Sequence, residues 1–165
     1  MRALLALPVV LALSGAARAD EVAARDARPV SVSMEVRAAE SAAGVGPRFQ
    51  LNLTSWLAVD AGVRTMLFVS SVDAGVTLFA AEDAVAPYGY LRGGMTRVQH
   101  LCRVACDGTE PPPADVRAIA SAGVGLENVY PSGFTFTLEA GVVHERAADC
   151  GETHAEVAAG IGYRF

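Results

Sequence analysis

Apolar and polar side chains alternate residue by residue along most of this 165-residue chain. That two-residue period is the mark of strands with one wet and one apolar face. Val30, Val32, Met34 and Val36 alternate with Ser31, Ser33, Glu35 and Arg37, and Phe49, Leu51 and Leu53 with Arg48, Gln50 and Asn52. Leu57, Val59, Ala61, Val63 and Thr65 alternate with Asp60, Gly62 and Arg64. A fourth strand is expected over residues 73–81 and a fifth over 86–98. Ala118, Ala120, Ala122, Val124 and Leu126 alternate with Ile119, Ser121, Gly123, Gly125 and Glu127, and Phe134, Phe136, Leu138, Ala140 and Val142 with Thr135, Thr137, Glu139 and Gly141. The chain closes on an eighth strand, with Val157, Ala159, Ile161, Tyr163 and Phe165 on one face and Ala158, Gly160, Gly162 and Arg164 on the other. No helical period of any length competes.

The connections predicted between these strands alternate in length. Residues 54–56, 82–85 and 128–132 make tight turns, whereas 39–46, 99–116 and 146–153 are longer and 68–72 intermediate. Eight strands, an even number, put both chain ends on the side of the tight turns. Short periplasmic turns with longer external loops are the habit of transmembrane barrels. The placement of charge then decides between lipid and water. One face is nearly all Val, Leu, Phe, Ala and Ile, while the other gathers Glu35, Arg37, Arg48, Asp60, Arg64, Glu127, Glu139, Glu156 and Arg164 among many glycines. On the outside of a soluble barrel those glycines would only weaken strands. Inside an eight-stranded barrel, just wide enough for side chains, they make room for long ion-paired ones. The expectation is an all-β, eight-stranded, antiparallel, up-and-down transmembrane β-barrel with a plugged lumen.

Two places resist this pattern. Arg92 falls in line with Tyr88 and Tyr90 on what reads as the apolar face, where a lipid-facing Arg at the midplane would cost about 2–4 kcal/mol. A bulge between Tyr90 and Gly94 is therefore expected to turn it inward. Leu78 and Phe79 are adjacent bulky residues, which leaves the register of the fourth strand open.

The start of the chain agrees with export. Met1-Arg2, an apolar run from Ala3 to Leu13 and the small-x-small site Ala17-Arg18-Ala19 read as a cleaved signal peptide over residues 1–19, leaving 20–165 as one barrel domain. Composition is 52% hydrophobic and 19% charged, and all 13 basic residues are Arg. Without Arg2 and Arg18, eleven arginines face 18 acids, a charge near −7. An acidic chain without a basic cluster is no nucleic-acid binder.

The hairpin Phe49-Gln-Leu-Asn-Leu-Thr-Ser-Trp-Leu-Ala-Val-Asp-Ala-Gly-Val63 and the segment Ala86-Pro-Tyr-Gly-Tyr-Leu-Arg-Gly-Gly94 resemble those of small outer-membrane β-barrel proteins, the OmpA-domain and OmpX-like group. The terminal Tyr163-Arg-Phe165 resembles the assembly signal of that group. The resemblance covers essentially the whole mature chain. It implies a Gram-negative outer-membrane location, with outer-membrane lipids and the insertion machinery as partners. On function it is nearly silent, because the group includes structural, adhesive, resistance-related and enzymatic members.

Chemistry has few places to reside. Cys102, Cys106 and Cys150 fall in predicted external loops, where an exported protein forms disulfides by default; an odd cysteine is left over. His100, His144 and His154 lie near the same rim, but a Cys-x3-Cys spacing is not a strong zinc signature. Lipid A deacylases of this size resemble one another in a His-x-Ser pair with a nearby acid. Here His144 is followed by Glu145-Arg146 and His154 by Ala155-Glu156. The expectation is a non-enzymatic, monomeric, porin-like barrel with no cofactor, a structural or surface-interaction role, and loops free to meet an external ligand. A lipid A-modifying enzyme and a soluble periplasmic ligand-binding barrel are the alternatives.

Overall fold

The computed structural model describes residues 27–39, 44–66, 69–98, 115–146 and 151–165. Eight strands follow in order: β1 (Val30–Ala39), β2 (Gly44–Asn52), β3 (Leu57–Met66), β4 (Val69–Phe79), β5 (Val85–Val98), β6 (Asp115–Val129), β7 (Phe134–Arg146) and β8 (Gly151–Arg164). Each pairs antiparallel with its chain neighbours, and β8 returns to β1 to close the barrel. At the seam Val36 stands opposite Ala159 and Val32 opposite Tyr163, and the Phe165 N–H donates to the Val30 carbonyl at 2.8 Å. Closure leaves no strand edge unpaired, the condition for strands to cross a bilayer.

Alternation sorts the side chains into two populations. Met34, Val36, Phe49, Val63, Val72, Leu91, Met95, Val124, Val142, Val157 and Ile161 face outward and are exposed. Glu35, Arg37, Arg48, Asp60, Arg64, Asp73, Arg92, Glu127, Glu139, Glu156 and Arg164 face inward and are buried. The interior is thus polar and the surface apolar, the reverse of a water-soluble protein. Strands β1 to β4 have 10, 9, 10 and 11 residues, the length that crosses a bilayer obliquely. Among the described residues no helix is long and apolar enough to cross a membrane; here the strands cross.

The tight turns follow from local chemistry. In the β6–β7 turn, Pro131 sets the first central position, the Gly133 N–H donates to the Tyr130 carbonyl at 2.8 Å, and Gly133 adopts φ of 94°. This is a type I turn completed by a left-handed residue, which glycine enters without steric cost. In the β2–β3 turn the Leu57 N–H donates to the Thr54 hydroxyl at 3.0 Å, and the Ser55 hydroxyl ties this turn to Glu82 of the β4–β5 turn at 2.6 Å.

Two expectations need correction. First, the intermediate connection over residues 68–72 is mostly strand: Ser71 pairs with Arg64 and Val72 with Val63 in β4. The Ser70-Ser71 pair reads as turn chemistry, and pairing overrides it. Likewise β6 begins at Asp115, while β7 and β8 run on to meet at Arg146 opposite Gly151. Their outer ends are polar on both faces, which hides the period. Second, β5 has no bulge. Its register against β4 runs unbroken through Thr77–Tyr90, Gly75–Arg92 and Asp73–Gly94. Arg92 points inward because the whole face it shares with Tyr88 and Tyr90 is the inner one. The register of β4, open in the sequence, is simple, with Leu78 outward and Phe79 buried edge-on against Tyr88 at a centroid distance of 5.5 Å.

Candidate functional site

The lumen holds a continuous ion-pair lattice supplied by seven of the eight strands. Glu35 on β1 accepts from Arg37 Nε at 3.0 Å, Arg48 Nε at 2.6 Å and Arg64 Nη1 at 3.0 Å. Asp60 on β3 accepts from Arg48, from Arg92 Nε at 2.8 Å and from the Thr77 hydroxyl at 2.9 Å. Asp73 on β4 accepts from Arg64 and from Arg48 Nη2 at 3.0 Å. Glu139 on β7 takes both Arg92 Nη1 and Nη2, at 2.6 and 2.7 Å, together with Arg37 Nη2 at 3.0 Å. Glu156 on β8 accepts from Arg37 Nη1 at 3.0 Å.

Two tyrosines complete the lattice and three glycines admit them. The Tyr88 hydroxyl donates to Glu139 at 2.9 Å and the Tyr90 hydroxyl to Glu156 at 2.8 Å. The Arg92 guanidinium lies 4.3 Å from the Tyr90 ring centroid. A Cβ on Gly125 would stand 2.4 Å from Tyr88 Cζ, and one on Gly123 or Gly141 would stand 2.6 or 2.5 Å from the Tyr90 hydroxyl. The glycine-rich inner faces of β6 and β7 are therefore the slots into which the β5 tyrosines reach.

Smaller groupings occupy the two ends. Near the chain termini, the fully enclosed Arg164 donates from Nη2 to Glu127 at 2.6 Å, above a core of Ala58, Phe79, Ala86 and Tyr88. At the opposite mouth Arg117 bridges Asp115 at 2.8 Å and the buried Glu145 at 3.4 Å, and His154 lies 3.4 Å from Glu152. On the outer wall, Pro87, Gly89, Val124, Leu126, Leu138 and Ala140 line an apolar groove of about 720 Å³.

The structure therefore places Glu35, Arg37, Arg48, Asp60, Arg64, Glu139 and Glu156 in one lattice and Glu127 with Arg164 in a separate pair. Sequence reasoning missed Asp73, which it put at the start of a strand, and the tyrosines, which it read as apolar. The available signal was the charge balance of β5: an Arg in line with two amphipathic rings marks an inner face as well as it marks an outer one. Tyr163 and Phe165 lie outward at the terminal end, their rings edge-on at 5.0 Å. Cys102, Cys106, Cys150 and His100 lie outside the described residues. His144 and His154 do not converge on a metal. His144 pairs with Thr153 and Val143 with His154, so the two rings lie on opposite faces of the wall. Among the described residues no cluster of His, Cys, Asp and Glu could hold a metal ion.

Chemically the carboxylates of the lattice are satisfied. Every carboxylate in it accepts two or more hydrogen bonds from arginine, tyrosine or threonine, so none is poised as a free base or nucleophile. What such an arrangement does is fill and cross-link the lumen.

No family model matches the chain, and no curated protein matches it in sequence. Among solved structures it is similar to the N-terminal β-barrel domain of Pseudomonas aeruginosa OprF, at 15% identity and a TM-score of 0.54, covering 81% of this chain and 96% of that one. The de novo designed barrel TMB2.3 is similar at 16% identity and a TM-score of 0.49, covering 84% and 94%. Ail, the attachment invasion locus protein of Yersinia pestis, is similar at 16% identity and a TM-score of 0.45, covering 82% and 96%. At such identities the likeness to the OprF domain speaks to architecture. The chain has the fold of the eight-stranded outer-membrane β-barrels.

Proposed function

We propose that this chain is a monomeric, non-enzymatic integral protein of the bacterial outer membrane, exported by a leader over residues 1–19. In this reading it is a plugged barrel with a structural or surface-interaction role, not a wide diffusion pore. The observation that carries the reading is the inverted distribution of charge, with an Arg–carboxylate lattice inside and an apolar wall outside. The tight turns, the start of β1 and the end of β8 lie at one end, where Trp56, Tyr130, Phe134, Tyr163 and Phe165 form an outward aromatic belt. That end is assigned to the periplasm. The opposite end carries the longest connection, residues 99–114, with two of the three cysteines, and faces the exterior. Cys102, Cys106 and Cys150 are assigned to a loop disulfide there.

The test is the mobility of the mature chain on a semi-native gel, refolded with and without detergent. A detergent-dependent band that shifts on boiling is expected. A compact fold in buffer alone would make it a soluble barrel and sink the proposal.

One contact favours a second reading. His144 Nδ1 lies 2.9 Å from the Thr153 hydroxyl on the outer wall at the exterior end, as a base and nucleophile would in a lipid-modifying enzyme. No third group orients the ring among the described residues, and a threonine hydroxyl without such a group is weakly activated. Replacing His144 by Ala is therefore expected to leave the lipid A pattern of expressing cells unchanged.

A further inference from the structure

Charge on the outer wall is confined to one place. Among the described strand residues every Asp and Glu faces the lumen or its mouth, and the outward ladders are Val, Leu, Ile, Met, Ala, Gly, Pro and aromatic residues with a few hydroxyls, one Asn and His144. The two outward charges are Arg97 near the end of β5 and Arg146 at the end of β7, both exposed. They flank the same strand, since Arg97 stands opposite Val116 and Arg146 opposite Ala118 of β6. Two strand spacings put their backbones roughly 10 Å apart across the wall, within joint reach of two long side chains. Neither makes an ion pair among the described residues, and their cross-strand neighbours are Ser70, Val116, Ala118 and Gly151, none of them acidic.

The surroundings are shaped for a head group. Between the arginines β6 presents Val116 and Ala118, with Met95 beside Ala118, and one row deeper Gly93, Ala120 and His144 lie side by side, so the floor is low along β6. A Cβ on Gly93 would meet nothing nearer than the Ile119 carbonyl at 3.9 Å, so packing within the barrel does not demand a glycine there. Level matters as well. The outward residues of β5 from Pro87 to Met95, and of β7 from Phe134 to Val142, are apolar or glycine; Arg97 follows the first run directly and Arg146 follows the second after His144. Nine residues of tilted strand rise roughly 20 Å, most of the 25 Å apolar band of such barrels, so Arg97 and Arg146 sit at its exterior edge. Aromatic side chains mark the other edge, while among the described residues none points outward at this one.

We infer that Arg97 and Arg146 form a docking site on the outer wall for the phosphate groups of a lipid of the exterior leaflet, with lipid A as the occupant. The inference rests on the proposed membrane orientation. A planar guanidinium is suited to phosphate oxygens, and two of them spaced across one strand can engage a lipid with two phosphates. An overall acidic chain repels such a head group everywhere except at a local basic pair.

The test uses the full mature barrel in detergent micelles, with diphosphoryl lipid A as probe and native mass spectrometry to read lipid retained per barrel. Retention is expected to fall roughly fivefold in Arg97→Gln and about thirtyfold in the Arg97→Gln/Arg146→Gln double variant, each basic group at a membrane surface contributing near fivefold. The Arg97→Lys/Arg146→Lys pair should keep most of it, and Arg117→Gln, at the lumen mouth of the same end, all of it. Dephosphorylated lipid A should be retained by the native barrel no better than by the double variant, a comparison that needs no mutant to fold. Equal retention of both lipids, a double variant that binds like the native chain, or full displacement by millimolar inorganic phosphate would overturn the site. The same samples run on a semi-native gel separate the two ideas. A boiling-sensitive band without phosphate preference removes only the lipid site, whereas no band removes the membrane reading and the site with it.

Discussion

At the scale of single residues, Arg92 illustrates why a buried ion pair is costly to break from one side. It holds Glu139 through two nitrogens and Asp60 through a third. Replacing it by Gln leaves two enclosed carboxylates short of a cation, so Arg92→Gln is expected to lower stability by about 3–5 kcal/mol in urea titrations of the refolded barrel. The outward Arg97→Gln, five residues on, should change it by less than about 0.5 kcal/mol. Gly125 gives a second case. Its missing Cβ is filled by the Tyr88 ring, so Gly125→Ala should cost about 1–3 kcal/mol by overpacking. Combined with Tyr88→Ala the cost should be well below the sum of the two, a coupling that a double-mutant cycle reads directly. Glycine in the lumen was legible in the sequence as space for long side chains. That tyrosine would claim much of it was not, because a hydrophobicity pattern treats the ring as apolar and is blind to the hydroxyl that Glu139 and Glu156 receive.

At the scale of strands, the period of two located all eight elements, and its failures lie where both faces turn polar. The alternation of β1 and β3 sets apolar against polar almost cleanly, and their sequence limits are nearly the observed ones. The outer ends of β7 and β8 carry His144, Glu145, Arg146, Glu152 and Thr153, which belong to a paired ladder yet look like a loop. Only the pairing partner reveals them, and a one-dimensional pattern has no access to it. The terminal strand carries its own prediction. Tyr163 and Phe165 stand outward, touch each other edge-on and contribute nothing to the lumen. If they serve recognition by the insertion machinery, Tyr163→Ser/Phe165→Ser should refold unaided in detergent with near-native yield. In cells the same variant should lose most of its heat-shifted outer-membrane form. Equal losses in both settings would instead make the two rings simple stability anchors.

At the scale of the whole molecule, the charge balance of the lattice sets the expectation for what crosses the barrel. Arg37, Arg48, Arg64 and Arg92 face Glu35, Asp60, Asp73, Glu139 and Glu156, four formal positive charges against five negative. The ion pairs tie the walls together, and eight strands give a lumen that side chains fill. The native protein should therefore show no large conductance steps in planar bilayers. Arg37 is the best place to open it, because its guanidinium alone joins β1, β7 and β8 through Glu35, Glu139 and Glu156. Arg37→Ala removes that bridge and raises the excess of negative charge from one to two. Any leak it creates should select cations, read as a reversal potential of the corresponding sign in a potassium chloride gradient. Glu139→Ala frees comparable space but brings the count level, so its leak should discriminate little between potassium and chloride. The opposite order of selectivity would mean that ions follow a route governed by the exterior loops, with the lattice acting only as a brace. Wide steps from the native chain would mean that the lattice opens as a unit, and the barrel would then be a gated pore instead of a plug.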